Sequence, residues 1–224
     1  MSHFKGKETL MRRSRLLSPL ILAAAVAAAG AARADEKPAA SPHGEKAKAA
    51  PAGMPSQEEM MKKWEAYATP GAAHRKLDAF VGNWNVRMKA WMAPGQPPEE
   101  TEGTAETSWI LGNRYLEQKY DGKMMGKPFS GVGFTGYDNF KKKYEAIWMD
   151  NMGTGVMTST GSFDKSGKVM RFTATMDDPI TGKKTTIKET LTIVDPDTHR
   201  LEMWATGPDG KMFKTLEGVY TRKK

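Results

Sequence analysis

Three polar residues stand where a strand pattern aims side chains at an interior: Gln118, Asp150 and Glu189. Asp150 follows Tyr144, Ala146 and Trp148 at two-residue steps, and Glu189 falls among Ile187, Leu191 and Ile193. Residues two apart share a face of a strand, so these acids are expected beside apolar surface. A buried carboxylate is costly unless it is paired or hydrogen-bonded. Two chemistries fit. The groups can orient a ligand in an otherwise apolar pocket, the usual design of a small-molecule site. They can instead bond to neighbouring Tyr, Trp or backbone groups, or sit wet at a barrel mouth. Glu189 and Asp150 form an acid–base pair only if the fold brings them together.

Other reactive residue types offer less. The chain has no Cys, which removes thiol catalysis, Cys-ligated zinc and a lipoprotein anchor. The sequence holds no nucleophile elbow, phosphate-cradling Gly loop, HExxH helix or paired-Asp motif, so an enzyme reading has no constellation to rest on. Fourteen Met lie beyond residue 34, including Met124-Met125 and Met149-x-x-Met152. Thioethers suit Cu(I), but no dense Met/His cluster is visible, and Met also fills irregular cavities.

The elements that must position these groups are strands. Ten strand-length runs succeed one another: 83–92, 103–110, 114–122, 129–138, 143–150, 154–164, 168–177, 184–194, 199–206 and 211–222. Turn formers separate them, among them Asp138-Asn139, Asp164-Lys165-Ser166-Gly167, Asp178-Pro179 and Asp195-Pro196-Asp197. Connections this short join antiparallel neighbours, because a parallel crossover needs a dozen residues or more. An open sheet of that many strands would leave two exposed edges, so closure is expected. The fold class is therefore all-β, an up-and-down antiparallel barrel of about ten strands.

Alternation then proposes an inside. Trp84, Val86, Met88 and Met92 share one face, as do Met170, Phe172, Ala174 and Met176, and Leu201, Met203 and Ala205. The expected ligand wall is Trp148, Asp150, Gln118, Glu189, Tyr144, Phe172, Met170 and Met203. The run Gly131-Val132-Gly133-Phe134-Thr135-Gly136-Tyr137 is glycine-rich, which marks either tight coiling of the sheet or room for a ligand.

The N-terminal third has a different character. Residues 11–34 read as a signal peptide: Arg12, Arg13 and Arg15 give a basic start, Leu16 to Ala31 an apolar stretch, and Ala32-Arg33-Ala34 a cleavage site. Residues 1–10 read as an upstream extension, leaving Met1 or Met11 as the start. The Arg12-Arg13 pair leaves general and twin-arginine export both open. The expected location is periplasmic or secreted, with no stable membrane anchor after cleavage. Residues 35–55 are rich in Ala, Pro, Lys and Gly and read as a disordered tether. Ser56-Gln57-Glu58-Glu59 is a capping box that opens a helix. A second short helix over 71–80 completes a helical lead-in, 56–81, to the barrel at 82–224.

The formal charge of +8 misleads, because residues 1–34 hold six Lys/Arg and one acidic residue. Residues 35–224 carry 28 basic and 25 acidic residues, a charge of +3, and no basic stripe interleaved with aromatics. Nucleic acid is not an expected partner.

Gly82-x-Trp84 at the first strand, after a short helix, resembles the calycin superfamily of lipocalins and fatty-acid-binding proteins. That resemblance implies an Arg from the last strand packing across the Trp, and Arg222 is the matching residue. A longer ordered pattern is more specific. It comprises His74-x-x-Leu77, Gly82-x-Trp84, Gly103-Thr104-Ala105, Gly112-x-Arg114, Met125-Gly126-Lys127-Pro128-Phe129, Gly136-Tyr137-Asp138-Asn139, Trp148-x-Asp150, Asp178-Pro179 and Gly207-Pro208-Asp209-Gly210-Lys211. Over roughly residues 70–224 it resembles the bacterial family called domain of unknown function 1579. This implies a lipocalin-like barrel and no established activity.

A related ten-stranded barrel family, the nitrobindins, binds haem through one His, which makes haem a rival cargo. Here only His74 and His199 are available in the barrel unit, on the lead-in helix and beside a turn, and neither is expected within an inward strand run. No cofactor is expected. The leading expectation is an exported barrel that holds a small apolar or amphipathic molecule. The alternative is a structural or interaction module filled by its own side chains.

Overall fold

The computed structural model describes residues 54–179, 182–207 and 209–224, all within the unit Ala50–Lys224. The expected signal peptide and nearly all of the expected tether lie outside the described residues.

Helix α1, Gln57–Ala68, begins where the capping box places it: Ser56 Oγ accepts from the Glu59 N–H, and Glu59 accepts from the Ser56 N–H at 2.8 Å. A short helix, α2 (Ala72–Arg75), runs directly into a 3-10 turn, Lys76–Phe80. The ten strands come next: β1 Gly82–Ala90, β2 Glu99–Ile110, β3 Tyr115–Met124, β4 Lys127–Asp138, β5 Lys143–Asp150, β6 Met157–Phe163, β7 Val169–Asp177, β8 Lys184–Asp195, β9 Thr198–Thr206 and β10 Met212–Arg222. Each pairs antiparallel with its neighbour in sequence, and β1 closes on β10, with Trp84 opposite Arg222. No edge is left in the sheet, which is what closure achieves.

Local chemistry explains the turns. Met125 and Gly126 have φ of 51° and 69°, the left-handed pair that a two-residue hairpin requires. Their N–H groups donate to the Glu99 carboxylate at 2.8 and 3.1 Å. Asn139, beyond the end of β4, donates its amide to the carbonyls of Tyr67 and Thr69 at 2.9 Å each, satisfying the open C-terminus of α1.

Alternation sorts the barrel into inside and outside. Trp84, Val86 and Met88 on β1 are buried in turn, as are Met170, Phe172 and Ala174 on β7. Met92 departs from this: β1 ends at Ala90, and Met92 is exposed in the loop beyond it. The up-and-down course puts the loops after β1, β3, β5, β7 and β9 at one end of the barrel. The lead-in segment plugs the other end. Trp84 Nε1 donates to the Phe80 carbonyl at 3.0 Å, Tyr144 Oη to the Ala73 carbonyl at 2.8 Å, and Arg222 to the Val81 carbonyl at 2.8 Å. The Arg222 guanidinium also lies 4.2 Å from the centre of the Trp84 ring, so the expected packing of this pair is present.

Among the described residues no helix is long and apolar enough to cross a membrane, and no three His, Asp or Glu cluster closely enough to hold a metal ion.

Candidate functional site

The barrel encloses a cavity of about 940 Å³. Its floor includes Leu77 and Phe80 from the plug, and its open end reaches the 151–156 loop and the start of the β7–β8 turn. This is within the usual range of small-molecule pockets. Seven of the eight residues expected at the ligand wall line it: Trp148, Asp150, Gln118, Glu189, Phe172, Met170 and Met203. Tyr144 does not. It points inward as its parity requires, but it sits low in the barrel, buried against Tyr137 and Phe163, with its hydroxyl engaged by the plug. Burial pushes its phenol up to about 12. Parity sets the face of a strand and says nothing about height.

Trp148 explains the glycines of β4. A Cβ on Gly131 or Gly133 would overlap the indole, which lies flat across both positions. The glycine-rich strand therefore makes room for a side chain of the neighbouring strand. Asp150 fixes that indole: its Oδ2 accepts from Trp148 Nε1 at 2.9 Å, and its Oδ1 accepts from the Met152 N–H at 2.9 Å. Both oxygens thus have donors, and Asp150 is a positioning group at the rim. Asn151 ties the same loop to β4 by accepting from the Ser130 N–H and donating to the Pro128 carbonyl, each at 3.1 Å.

Gln118 lies deeper. Its amide donates to Thr107 Oγ1 at 3.3 Å, and Thr107 is itself buried. Glu189 differs from both. It projects from the middle of β8, in register with Phe172 on one side and Met203 on the other. Its Oε1 is buried without a hydrogen-bond partner. Burial pushes the carboxyl up to about 7, and the Ser159 hydroxyl offsets this only in part. The β2–β3 pair and β8 stand roughly across the barrel from each other in the strand order, so the two polar groups occupy opposing walls of an apolar chamber.

Several features go beyond the expectations from sequence. Seven methionines line the cavity, Met88, Met124, Met152, Met157 and Met176 joining Met170 and Met203. They are scattered in sequence, and closure gathers them. His199 is expected beside a turn, outside any inward run. The structure keeps it next to the β8–β9 turn, as the second residue of β9, but turns its side chain inward: it is 2% exposed, stacked on Tyr220 at 4.4 Å and edge-on to Trp84 and Phe80. Burial, with the Arg222 charge, pulls its imidazole down to about 4. It belongs to the packed closed end and does not line the cavity. His74 is also buried, with Nδ1 accepting from the Gly71 N–H at 3.1 Å.

A family model described as "Protein of unknown function (DUF1579)" matches residues 69–222. No curated protein matches the chain. Among solved structures, Rv2717c from M. tuberculosis superposes with a TM-score of 0.51 at 16% identity, over 70% of this chain and all of that one. The S-type phycobiliprotein lyase CPES from Guillardia theta gives a TM-score of 0.47 at 10% identity, over 69% of this chain and 99% of that one. A de novo designed fluorescence-activating β-barrel gives 0.38 at 17% identity, over 69% of this chain and all of that one. The first likeness is one of fold; the other two superpose too loosely to carry any argument.

Proposed function

This chain belongs to the family described as protein of unknown function DUF1579, and from that premise we propose that its barrel is a container for a small apolar or amphipathic molecule. The observation that carries this reading is the cavity of about 940 Å³, walled by Trp148, Phe172 and methionines and open at one end. A barrel filled by its own side chains would have no such volume. Apolar burial supplies most of the binding energy in a pocket of this kind, and flexible thioethers let the wall adapt to shape. The polar groups set orientation. Export completes the proposal: the basic start, apolar stretch and Ala32-Arg33-Ala34 site support a protein that acts outside the cytoplasm.

The test is a titration with a hydrophobic dye and with decanol, monitored by tryptophan fluorescence. Saturable binding with a change in emission is expected, and Trp148→Phe should remove much of that change while leaving the fold intact. Absence of saturable binding, or a signal unaltered by Trp148→Phe, would sink the container reading.

A further inference from the structure

The interior is asymmetric in charge. The ionisable groups lining it besides Glu189 are Lys123, Asp150, Asp177, Tyr120 and Tyr220. Asp177 is paired with Lys184 at 3.1 Å, and Asp150 is occupied by Trp148 and Met152. Lys123 is exposed, one residue from the end of β3. Among the described residues, the wall therefore offers no buried cation to receive a carboxylate. It offers one carboxyl without a counter-charge, Glu189, which is half-buried, with its Oε1 covered and without a partner inside the protein. The residues beside it in the sheet, Phe172 and Met203, carry no ionisable group, and Ser159 adds only a hydroxyl.

We infer that the molecule this cavity takes bears one basic nitrogen on an apolar body, and that Glu189 pairs with it. The inference rests on the container reading and narrows it to a ligand class. An ammonium supplies the opposite charge that the site lacks, and donates to the carboxylate where it faces the cavity. A charge-assisted hydrogen bond of this kind is roughly twice as strong as a neutral one. A neutral carbonyl could only accept from the protonated acid, the weaker arrangement. An aromatic ring beside Glu189 in the sheet, that of Phe172, also suits a cation better than an anion. Because burial holds the carboxyl near 7, binding an ammonium at neutral pH drives it to the carboxylate and releases its proton to solvent. The ligand nitrogen keeps its own proton, so the charges balance.

The experiment compares four probes of matched length, decylamine, decanol, decanoate and 2-undecanone, by titration calorimetry against the purified chain and Glu189→Gln. Decylamine should bind at least about tenfold tighter than decanol at pH 8, the size of one charge-assisted contact. Its affinity should rise about tenfold from pH 6 to pH 8, tracking ionisation of a carboxyl near 7. Glu189→Gln should abolish both effects, leaving decylamine no tighter than decanol. The order of the four probes on the unaltered protein stands even if the variant fails to fold. Decanoate or 2-undecanone matching decylamine overturns the inference and leaves the container reading intact. An amine preference that survives in folded Glu189→Gln overturns it too. If none of the four binds, both readings fall.

Discussion

Replacing Glu189 by Gln should make the protein more stable, and by an amount that depends on pH in a defined way. The carboxyl moves from its ordinary 4.5 to about 7 on folding. Below 4.5 both folded and unfolded chains hold the proton, and the group costs nothing. Between 4.5 and 7 the unfolded chain loses its proton while the folded chain keeps it, so stability falls as pH rises. The slope is about 1.4 kcal/mol per pH unit, and the ceiling is about 3 kcal/mol above pH 7. Gln fills nearly the same space without the charge. Urea unfolding at intervals from pH 4 to pH 8 should show the two proteins equal at pH 4 and the variant ahead by up to about 3 kcal/mol at pH 8. His199 sharpens the comparison. Its folded value is lowered to about 4 from 6.5, so its contribution is lost as pH falls through that range. The two residues oppose each other between 4.5 and 6.5. The unaltered protein should be level there with respect to this pair, and the variant should weaken on acidification. A stability difference that stays constant from pH 4 to pH 8 refutes the claim that Glu189 is buried without a counter-charge.

Trp84→Ala should cost about 3–5 kcal/mol, as truncation of a fully buried aromatic does, and Arg222→Ala about 1–2 kcal/mol through lost packing and cation–π contact. A double-mutant cycle read by urea unfolding should show coupling between them; strict additivity contradicts the 4.2 Å stacking. Gly131→Ala should destabilise by about 1–3 kcal/mol, because its methyl meets an indole that Asp150 holds in place. Gly155→Ala, with open space around it, is the control and should stay within about 0.5 kcal/mol in the same urea titration.

Strands and turns were legible because alternation and turn chemistry are local properties. The run 129–138 and the turn Asp164-Lys165-Ser166-Gly167 can be read from a few residues at a time. The start of β2 cannot: Glu99-Glu100-Thr101-Glu102 is wholly polar, and it becomes strand only because β1 lies beside it as a template. The same limit governs the site. Face is local, so Trp148, Glu189 and Met203 can be assigned inward. Height along the barrel is set by tilt and by the plug, so Tyr144 is expected at a wall that it lies beneath. His199 shares the parity of Leu201 and Met203, so its direction was within reach of the same pattern; its packing against Phe80 and Trp84, far away in sequence, was not. A fixed carboxylate and an orphaned one look alike in sequence; only the partners around Asp150 and Glu189 tell them apart.

The seam between β1 and β10 governs when this protein can exist at all. The first strand waits for the last, so every seam contact, Trp84 with Arg222 included, spans almost the whole unit. Such distant pairings fold slowly, because the chain must close its largest loop before the contacts reward it. During synthesis no closed chamber can form until β10 has emerged. A growing chain of this design stays open until then, and loss of β10 removes the seam along with it.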